Sequence, residues 1–269
     1  METKEQLIWV DAHCHLSDPR FETELSKIIQ RAYDKNIKFF LMGGYDPLDW
    51  ERQKKIKNQY PNSIFPVFGL HPWWVSMQTE KACFEALDQL NTALNQAGAI
   101  GELGLDLSPK MDPQSFQLQK KIFEEQLRLG YEKKLPVVLH LVKAHPEALE
   151  VLKSKKITNG IVHGFTGSWE IAQSYLHLGL SLSIGTSVLK KGYETLKRAV
   201  SRIPLEQMVL ETDSPDGSWN QELNEPSNLI LIAEKIGELK KVSPEKILET
   251  SASNLERIFK WKAILNHSI

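Results

Sequence analysis

The sequence predicts a closed (β/α)8 barrel, and three observations predict it. Short apolar runs alternate along the whole chain with helical stretches, most of ten or more residues, the pattern of parallel strands joined by helical crossovers. No Pro/Gly/Ser-rich linker, low-complexity segment or obvious repeat interrupts the alternation, so residues 1–269 are expected to form a single domain. Histidine, aspartate or glutamate recurs where the strands end, and a barrel gathers such residues at the C-terminal rim of its strands by geometry. A doubly wound open sheet is the alternative fold. It has trouble bringing residues from its first, fourth, fifth, sixth and eighth strands to one place.

The first apolar run, 7–10, reads as a buried strand leading into His13 and His15. Side chains at i and i+2 of extended chain share a face, so both imidazoles project from one strand end, spaced to hold one metal ion. Leu25, Ile28, Ile29 and Ala32 give 22–36 the spacing of an amphipathic helix. A second strand over 37–42 stops at Gly43-Gly44, and 49–60 is a charged helix closed by Pro61. The third strand, 64–70, ends at His71-Pro72, and a long helix over 80–96 ends before Gly98. The fourth strand, 99–106, carries Glu102 in its middle and precedes a strong helix over 116–134. Pro136 opens a fifth strand that ends at His140; a helix over 146–155 and a strand over 160–162 then lead to His163. Helix 169–178, strand 180–185, helix 193–202 and strand 207–213, which ends on Asp213, complete the eight units. Helices over 228–241 and 244–260 finish the wall, the second opened by Ser243-Pro244-Glu245.

An apolar fraction of 41% with 25% charged residues is ordinary for a soluble globular protein. The net charge of -1 provides no cationic field, so a nucleic acid would have to be gripped locally or through metal. Two cysteines, Cys14 and Cys83, make no disulfide framework and favour a reducing compartment. The start, 1–5, is polar and unlike a signal peptide, and no apolar run reaches membrane-spanning length. A cytoplasmic protein with no membrane association and no obligate protein partner is expected.

Five of the eight histidines fall at predicted strand ends: His13, His15, His71, His140 and His163. His145, His177 and His267 do not, and read as surface or helix residues. Alone, each residue has a bland reading: His140 or His163 as a core histidine, Glu102 as an ion-pair partner, Asp213 before Ser214-Pro215 as a turn former. Together they would be costly to desolvate on one rim without a cation to organise them. Imidazole and carboxylate without thiolate suit zinc, manganese or magnesium. The candidates outnumber what one tetrahedral ion needs, which implies two divalent ions, and Glu102, midway round the barrel, is placed to bridge them. Cys14, between two histidines, points to the opposite face and reads as a small buried hydrophobe.

The chain resembles the TatD family of metal-dependent nucleases, within the amidohydrolase-like barrels. The matching segments are Asp11-Ala12-His13-Cys14-His15-Leu16, Gly69-Leu70-His71-Pro72, Gly101-Glu102-Leu103-Gly104-Leu105-Asp106, Pro136-Val137-Val138-Leu139-His140, His163-Gly164-Phe165-Thr166-Gly167 and Glu211-Thr212-Asp213-Ser214-Pro215. Asn224-Glu225-Pro226 and the segment from Asn254 to Phe259 also resemble its C-terminal part. The resemblance implies that His13, His15 and Asp213 hold one ion, that His140 and His163 hold the other, and that Glu102 bridges them. It implies that Asp213 doubles as general base and that His71 reaches toward the substrate phosphate or leaving group. The implied activity is hydrolysis of ester bonds: a deoxyribonuclease trimming single-stranded DNA through a water activated by two metals.

Two departures touch substrate contacts and leave the expected ligands intact. After the strand-5 histidine the family's Ser/Thr-Arg-Asp/Glu-Ala is replaced by Leu141-Val142-Lys143-Ala144, with Lys143 as a stand-in cation that lacks the guanidinium fork. Leu107 stands where Tyr or Trp commonly follows Asp106. Trp73 and Trp74, on the His71 loop, are candidates to stack a base, and Lys190, Lys191 and Trp219 fall on the expected rim. Because hydroxide attacks carbon as well as phosphorus, an amide, ester or lactone hydrolase is the rival reading. A non-catalytic binding protein on the same scaffold predicts loss of a ligand, and every expected ligand is present.

Overall fold

The computed structural model describes residues 8–220 and 222–261; Leu7, the polar start and His267 lie outside them. Eight strands run in sequence order round one sheet: β1 Trp9–Cys14, β2 Ile37–Met42, β3 Ile64–Phe68, β4 Ala99–Asp106, β5 Val137–Val142, β6 Gly160–Val162, β7 Ser181–Ile184 and β8 Met208–Leu210. Every neighbouring pair from β1 to β8 is parallel. The seam between β8 and β1 is drawn shut just past β8. The Asp213 N–H donates to the His13 carbonyl at 2.9 Å and the His15 N–H to that of Ser214 at 2.7 Å. Asp11, fully buried, clasps the same seam. Its carboxylate accepts from the Thr212 N–H at 2.9 Å, the Thr212 hydroxyl at 2.5 Å and the His13 N–H at 3.2 Å.

The outer layer consists of α1 Leu25–Asp34, α2 Pro47–Gln59, α3 Pro72–Ser76, α4 Glu80–Ala93, α5 Phe116–Lys133, α6 His145–Ser154, α7 Trp169–His177, α8 Glu194–Arg202, α9 Leu229–Lys240 and α10 Pro244–Phe259. Element ends differ from the sequence pattern where caps decide them. Residues 19–21 form a tight 3-10 turn capped by the Asp18 carboxylate, so α1 starts at Leu25 rather than Glu22. α2 starts at Pro47 rather than Asp49, because the Asp46 carboxylate accepts the Asp49 N–H at 2.7 Å and proline suits the first helical position. The short α3, with the His71 side chain as its cap, has too few residues to show a helical period. β8 ends at Leu210, so Glu211, Thr212 and Asp213 lie in the loop beyond it.

Side chains of the strands divide into two cores. Outward-facing ones pack against the helices, Phe40, Met42, Phe68, Leu103 and Leu139 among them. Inward-facing ones fill the lower barrel: Val10, Ala12, Phe39, Leu41, Phe65, Val67, Ala99, Val138, Ile161 and Val209. α10 contributes Ala252, Leu255, Ile258 and Phe259 to that inner cluster, with Trp261 just beyond it. The last helix therefore floors the barrel as well as finishing the wall. An apolar floor leaves the opposite, C-terminal rim as the place for polar chemistry.

Candidate metal centre

The inner column of most strands starts apolar and ends polar two residues on. Val67 is followed at that spacing by Gly69 and then His71, Val138 by His140, Ile161 by His163, and Val209 by Glu211 and then Asp213. Simple alternation delivers those histidines to one place. β1 and β4 break the rule, because Val10 and Ala12 point inward, as does Ala99, yet so do His13 and Glu102. Pairing in both strands shifts register at these points, between Asp11 and Cys14 and between Gly101 and Leu103. An irregularity of this kind re-aims a side chain without ending the strand. Glycines make the room. A Cβ on Gly43 would collide with the rings of His13 and His15, and one on Gly104 (φ +154°) with the His140 carbonyl.

Glu102, 1% exposed, is the hub. Its Oε2 lies 3.2 Å from His13 Nε2 and 3.3 Å from His15 Nε2. Its Oε1 lies 2.8 Å from His163 Nε2, 3.2 Å from His140 Nδ1 and 3.5 Å from His71 Nε2. Asp213 Oδ1 sits 3.5 Å from His15 Nε2 and 3.9 Å from His13 Nε2. Three sets of donor atoms lie within 4.8 Å of one another: His13, His15 and Asp213; His13, Glu102 and His163; His71, Glu102 and His140. His13 Nε2 and Glu102 Oε2 are buried with no hydrogen-bond partner among the described residues. Orphaned polar atoms facing each other are costly, and a cation between such groups satisfies them. The donor set fits a divalent metal.

Electrostatics within the cluster lead to the same fit. Burial works against ionisation of Glu102, but His163, His13 and His71 hold its carboxyl well below the usual range. Burial also works against a proton on His15, yet the Asp213 hydrogen bond and Glu102 push it up to about 9. His163 is likewise raised against burial, by Glu102 and Glu211. The carboxylates thus draw positive charge to these rings. Protons supply it in the absence of metal, and metal binding would displace them. Asp213 stays ionised, lowered against burial by its His15 contact.

His71 differs from its neighbours. Burial and the charge of His140 push it down to about 4, so it is neutral near pH 7. Its Nδ1 accepts the Trp73 N–H at 3.0 Å, which leaves the proton on Nε2, aimed at Glu102 and His140. In that tautomer His71 offers the site a hydrogen-bond donor and no lone pair for a metal.

Three residues given no role from sequence brace the cluster. Asp106 Oδ2 lies 3.3 Å from His140 Nε2 and accepts the Trp73 indole N–H at 2.6 Å. Glu211 accepts the Gly164 N–H at 2.5 Å and lies 3.6 Å from His163 Nδ1. Asp11 closes the seam beneath His13. The signal for Glu211 was its place two residues before Asp213 in the same inner column; Asp106 lay in a quoted motif. Cys14 packs in the outer core, away from the site.

Above the cluster opens a cavity of about 470 Å³. His15, His71, Glu102, His140, His163 and Asp213 form its floor, and Asp18, Arg20, Tyr45, Asp49, Arg52, Trp73 and Asp216 line its walls. Two of the expected substrate contacts lie outside this lining. Trp73 lines the cavity, but Trp74, next along α3, turns to the outer core and packs there. Lys143 follows β5 in a left-handed conformation (φ 54°) that leaves it exposed and outside the lining. The cations on the wall are Arg20, in the 3-10 turn after β1, and Arg52, on α2. Lys190, Lys191 and Trp219 are also outside the lining, and Leu107 packs against the core.

Comparison with known proteins agrees with this geometry. The family described as TatD related DNase matches residues 10–260. The metal-dependent hydrolase YabD of Bacillus subtilis is 31% identical over 257 residues, covering 93% of this chain and 98% of the relative. Human deoxyribonuclease TATDN3 is 29% identical, covering 93% of this chain and 94% of its own length. The crystal structure of the TatD homologue YjjV from Escherichia coli superposes with a TM-score of 0.86 at 26% identity, over 94% of this chain and 98% of that one. A match that runs from β1 to the end of α10, shared by relatives of similar length, makes this chain a member of the TatD family of metal-dependent hydrolases.

Proposed function

We propose that this protein is a metal-dependent phosphodiesterase that shortens DNA, single strands in particular. The observation that carries the reading is the division of the imidazoles between the two oxygens of Glu102. His13, His15 and Asp213 would hold one divalent ion, His140 and His163 a second, and Glu102 would be shared; magnesium, manganese and zinc all suit this donor set. When bound, such ions supply acidified water and neutralise charge on phosphoryl oxygens.

The chain's own groups do the rest. Asp213 is ionised, and its side chain is 31% exposed, against 2% for Glu102, so it is the carboxylate of the pair that a water in the cavity can reach. It is placed to orient that water and accept its proton. His71, held neutral, donates its Nε2–H to a phosphoryl oxygen or to the leaving oxygen. Asp106 keeps the His140 ring in orientation and occupies the Trp73 indole N–H, which leaves the indole face for a base. The name of the human relative, a deoxyribonuclease, supports the substrate class.

The test is hydrolysis by metal-stripped protein refilled separately with magnesium, manganese and zinc. Each sample receives end-labelled single-stranded DNA beside a carboxyl ester. A ladder of shortened DNA, lost in His13→Ala and Asp213→Asn, is the expected result and also gives the polarity. Ester turnover with DNA intact would overturn the reading in favour of an amide, ester or lactone hydrolase.

A further inference from the structure

The cavity wall carries two arginines in opposite electrical states. Arg20 is saturated. Its guanidinium grips Asp18 at 2.7 and 2.9 Å and Asp216 at 2.8 and 2.9 Å, tying the loop after β1 to the loop after β8. Arg52, on α2, has one ion-pair contact among the described residues, with Asp49 at a loose 3.7 Å. Asp49 has no need of it: its oxygens already accept from the Ser17 hydroxyl at 2.6 Å, the Gln53 amide at 2.9 Å and the Tyr45 N–H at 3.1 Å. Arg52 Nε is buried and makes no hydrogen bond among the described residues. The side chain is otherwise 42% exposed on the cavity wall, and a guanidinium not spent on a close carboxylate is shaped to take a planar or tetrahedral oxyanion by its fork.

The surroundings call for such a group. The same wall holds Asp18, Asp49 and Asp216 against Arg20 and Arg52, and Arg20 is spent on two of these acids, which leaves Arg52 as the wall cation open to an anion. Lys143, the expected cation, faces away. Arg52 lines the same cavity as Glu102 and Asp213 but makes no ion pair with either among the described residues, so it belongs to the wall and not to the cluster.

We propose that Arg52 is a specificity-determining residue that binds a second phosphate of the substrate, next to the one cleaved at the Glu102 cluster. The inference rests on the phosphodiesterase reading above. It makes a run of linked phosphates, and not a single ester, the preferred substrate.

The experiment measures kcat/KM of the metal-loaded enzyme on a short oligothymidylate at fixed metal and rising potassium chloride, for wild type, Arg52→Gln and Arg52→Lys. Each phosphate contact on single-stranded DNA adds about 0.7 to the slope of log affinity against log salt. Arg52→Gln should lose about tenfold to a hundredfold in kcat/KM at low salt, mostly through KM, with a slope shallower by about 0.7. Arg52→Lys should keep the slope and lose severalfold, having charge without the fork. A folded Arg52→Gln enzyme that cleaves with the wild-type slope overturns the proposal, because a merely structural role leaves the slope unmoved. If Arg52→Gln does not fold, Arg52→Lys with wild-type kcat/KM overturns it instead. Wild-type protein that leaves the oligonucleotide intact while turning over a carboxyl ester removes the phosphodiesterase reading, and the inference with it.

Discussion

At the scale of single residues, a buried imidazole serves a cation only if its second nitrogen is held. His140 is held by Asp106 at 3.3 Å, His163 is faced by Glu211 at 3.6 Å, and His71 is held by the Trp73 amide. The first two are carboxylates, which raise the basicity of the ring. The third is a donor, which consumes a lone pair and takes His71 out of the ligand set. Asp106→Asn keeps an acceptor for Trp73 but removes the charge behind His140. Metal titration of that variant should show affinity reduced about 10- to 100-fold. Unchanged affinity would mean that Glu102 alone orients the ring. The ligand-type residues were visible in the sequence because all but Glu102, which sits inside a strand, follow an apolar run. Their braces, Asp106 and Glu211, lay in the same matching segments, but no local pattern says which histidine each of them faces.

At the scale of elements, the strands deliver and the caps adjust. Plain alternation is enough for His71, His140 and His163, whereas Asp213 lies beyond β8 in a left-handed conformation (φ 56°). The register shifts in β1 and β4 are what turn His13 and Glu102 inward. A local pattern places an acid in the middle of a strand but does not say which face it takes, because a one-residue slip reverses every side chain. Outside the barrel, α1 is tied to the loop before α9 by Arg31, whose Nε and Nη2 reach Glu225 Oε2 at 2.8 and 2.7 Å. Burial opposes ionisation of Glu225, but Arg31 and Ser227 hold it below its ordinary 4.5. A depressed carboxylate contributes stability above its unfolded value and loses it as pH falls through the folded one. Arg31 is half exposed, so screening limits the pair to about 0.5–1 kcal/mol. Urea unfolding of Glu225→Gln should show a deficit of that size near about pH 7, shrinking toward zero below about pH 4. A deficit that persists in acid would assign it to packing and not to charge.

Over the whole molecule, burying so many imidazoles and carboxylates at one end of a barrel makes stability depend on what is bound there. A ligand present at about 100 times its dissociation constant stabilises by about 2.7 kcal/mol. For a chain of this length that corresponds to about 5–10 °C in Tm. Chelation should lower Tm by that amount, readdition of the metal should restore it, and His13→Ala should abolish the response. A Tm indifferent to chelator would leave the orphaned His13 and Glu102 atoms without their cation. No helix among the described residues is long and apolar enough to cross a membrane.

The alternation of strand and helix, the strand order and the polar residues at strand ends are legible in the chain, because period and propensity act over a few neighbours. Six of the residues brought to the cavity floor could be named in advance for that reason: His15, His71, Glu102, His140, His163 and Asp213. Substrate contacts were the weak part of the reading. Trp74 and Lys143 sit one and three positions from residues that do face the cavity, Trp73 and His140, and a turn of α3 or a left-handed residue after β5 sends them elsewhere. Arg52 lies 50 residues from Glu102 in a helix with no amphipathic stripe to orient it, and only closure of the barrel brings it to the wall. Which charges are spent and which remain free is settled by contacts between loops distant in sequence. Arg20 is neutralised by a loop 196 residues away, and no local pattern records such a pair.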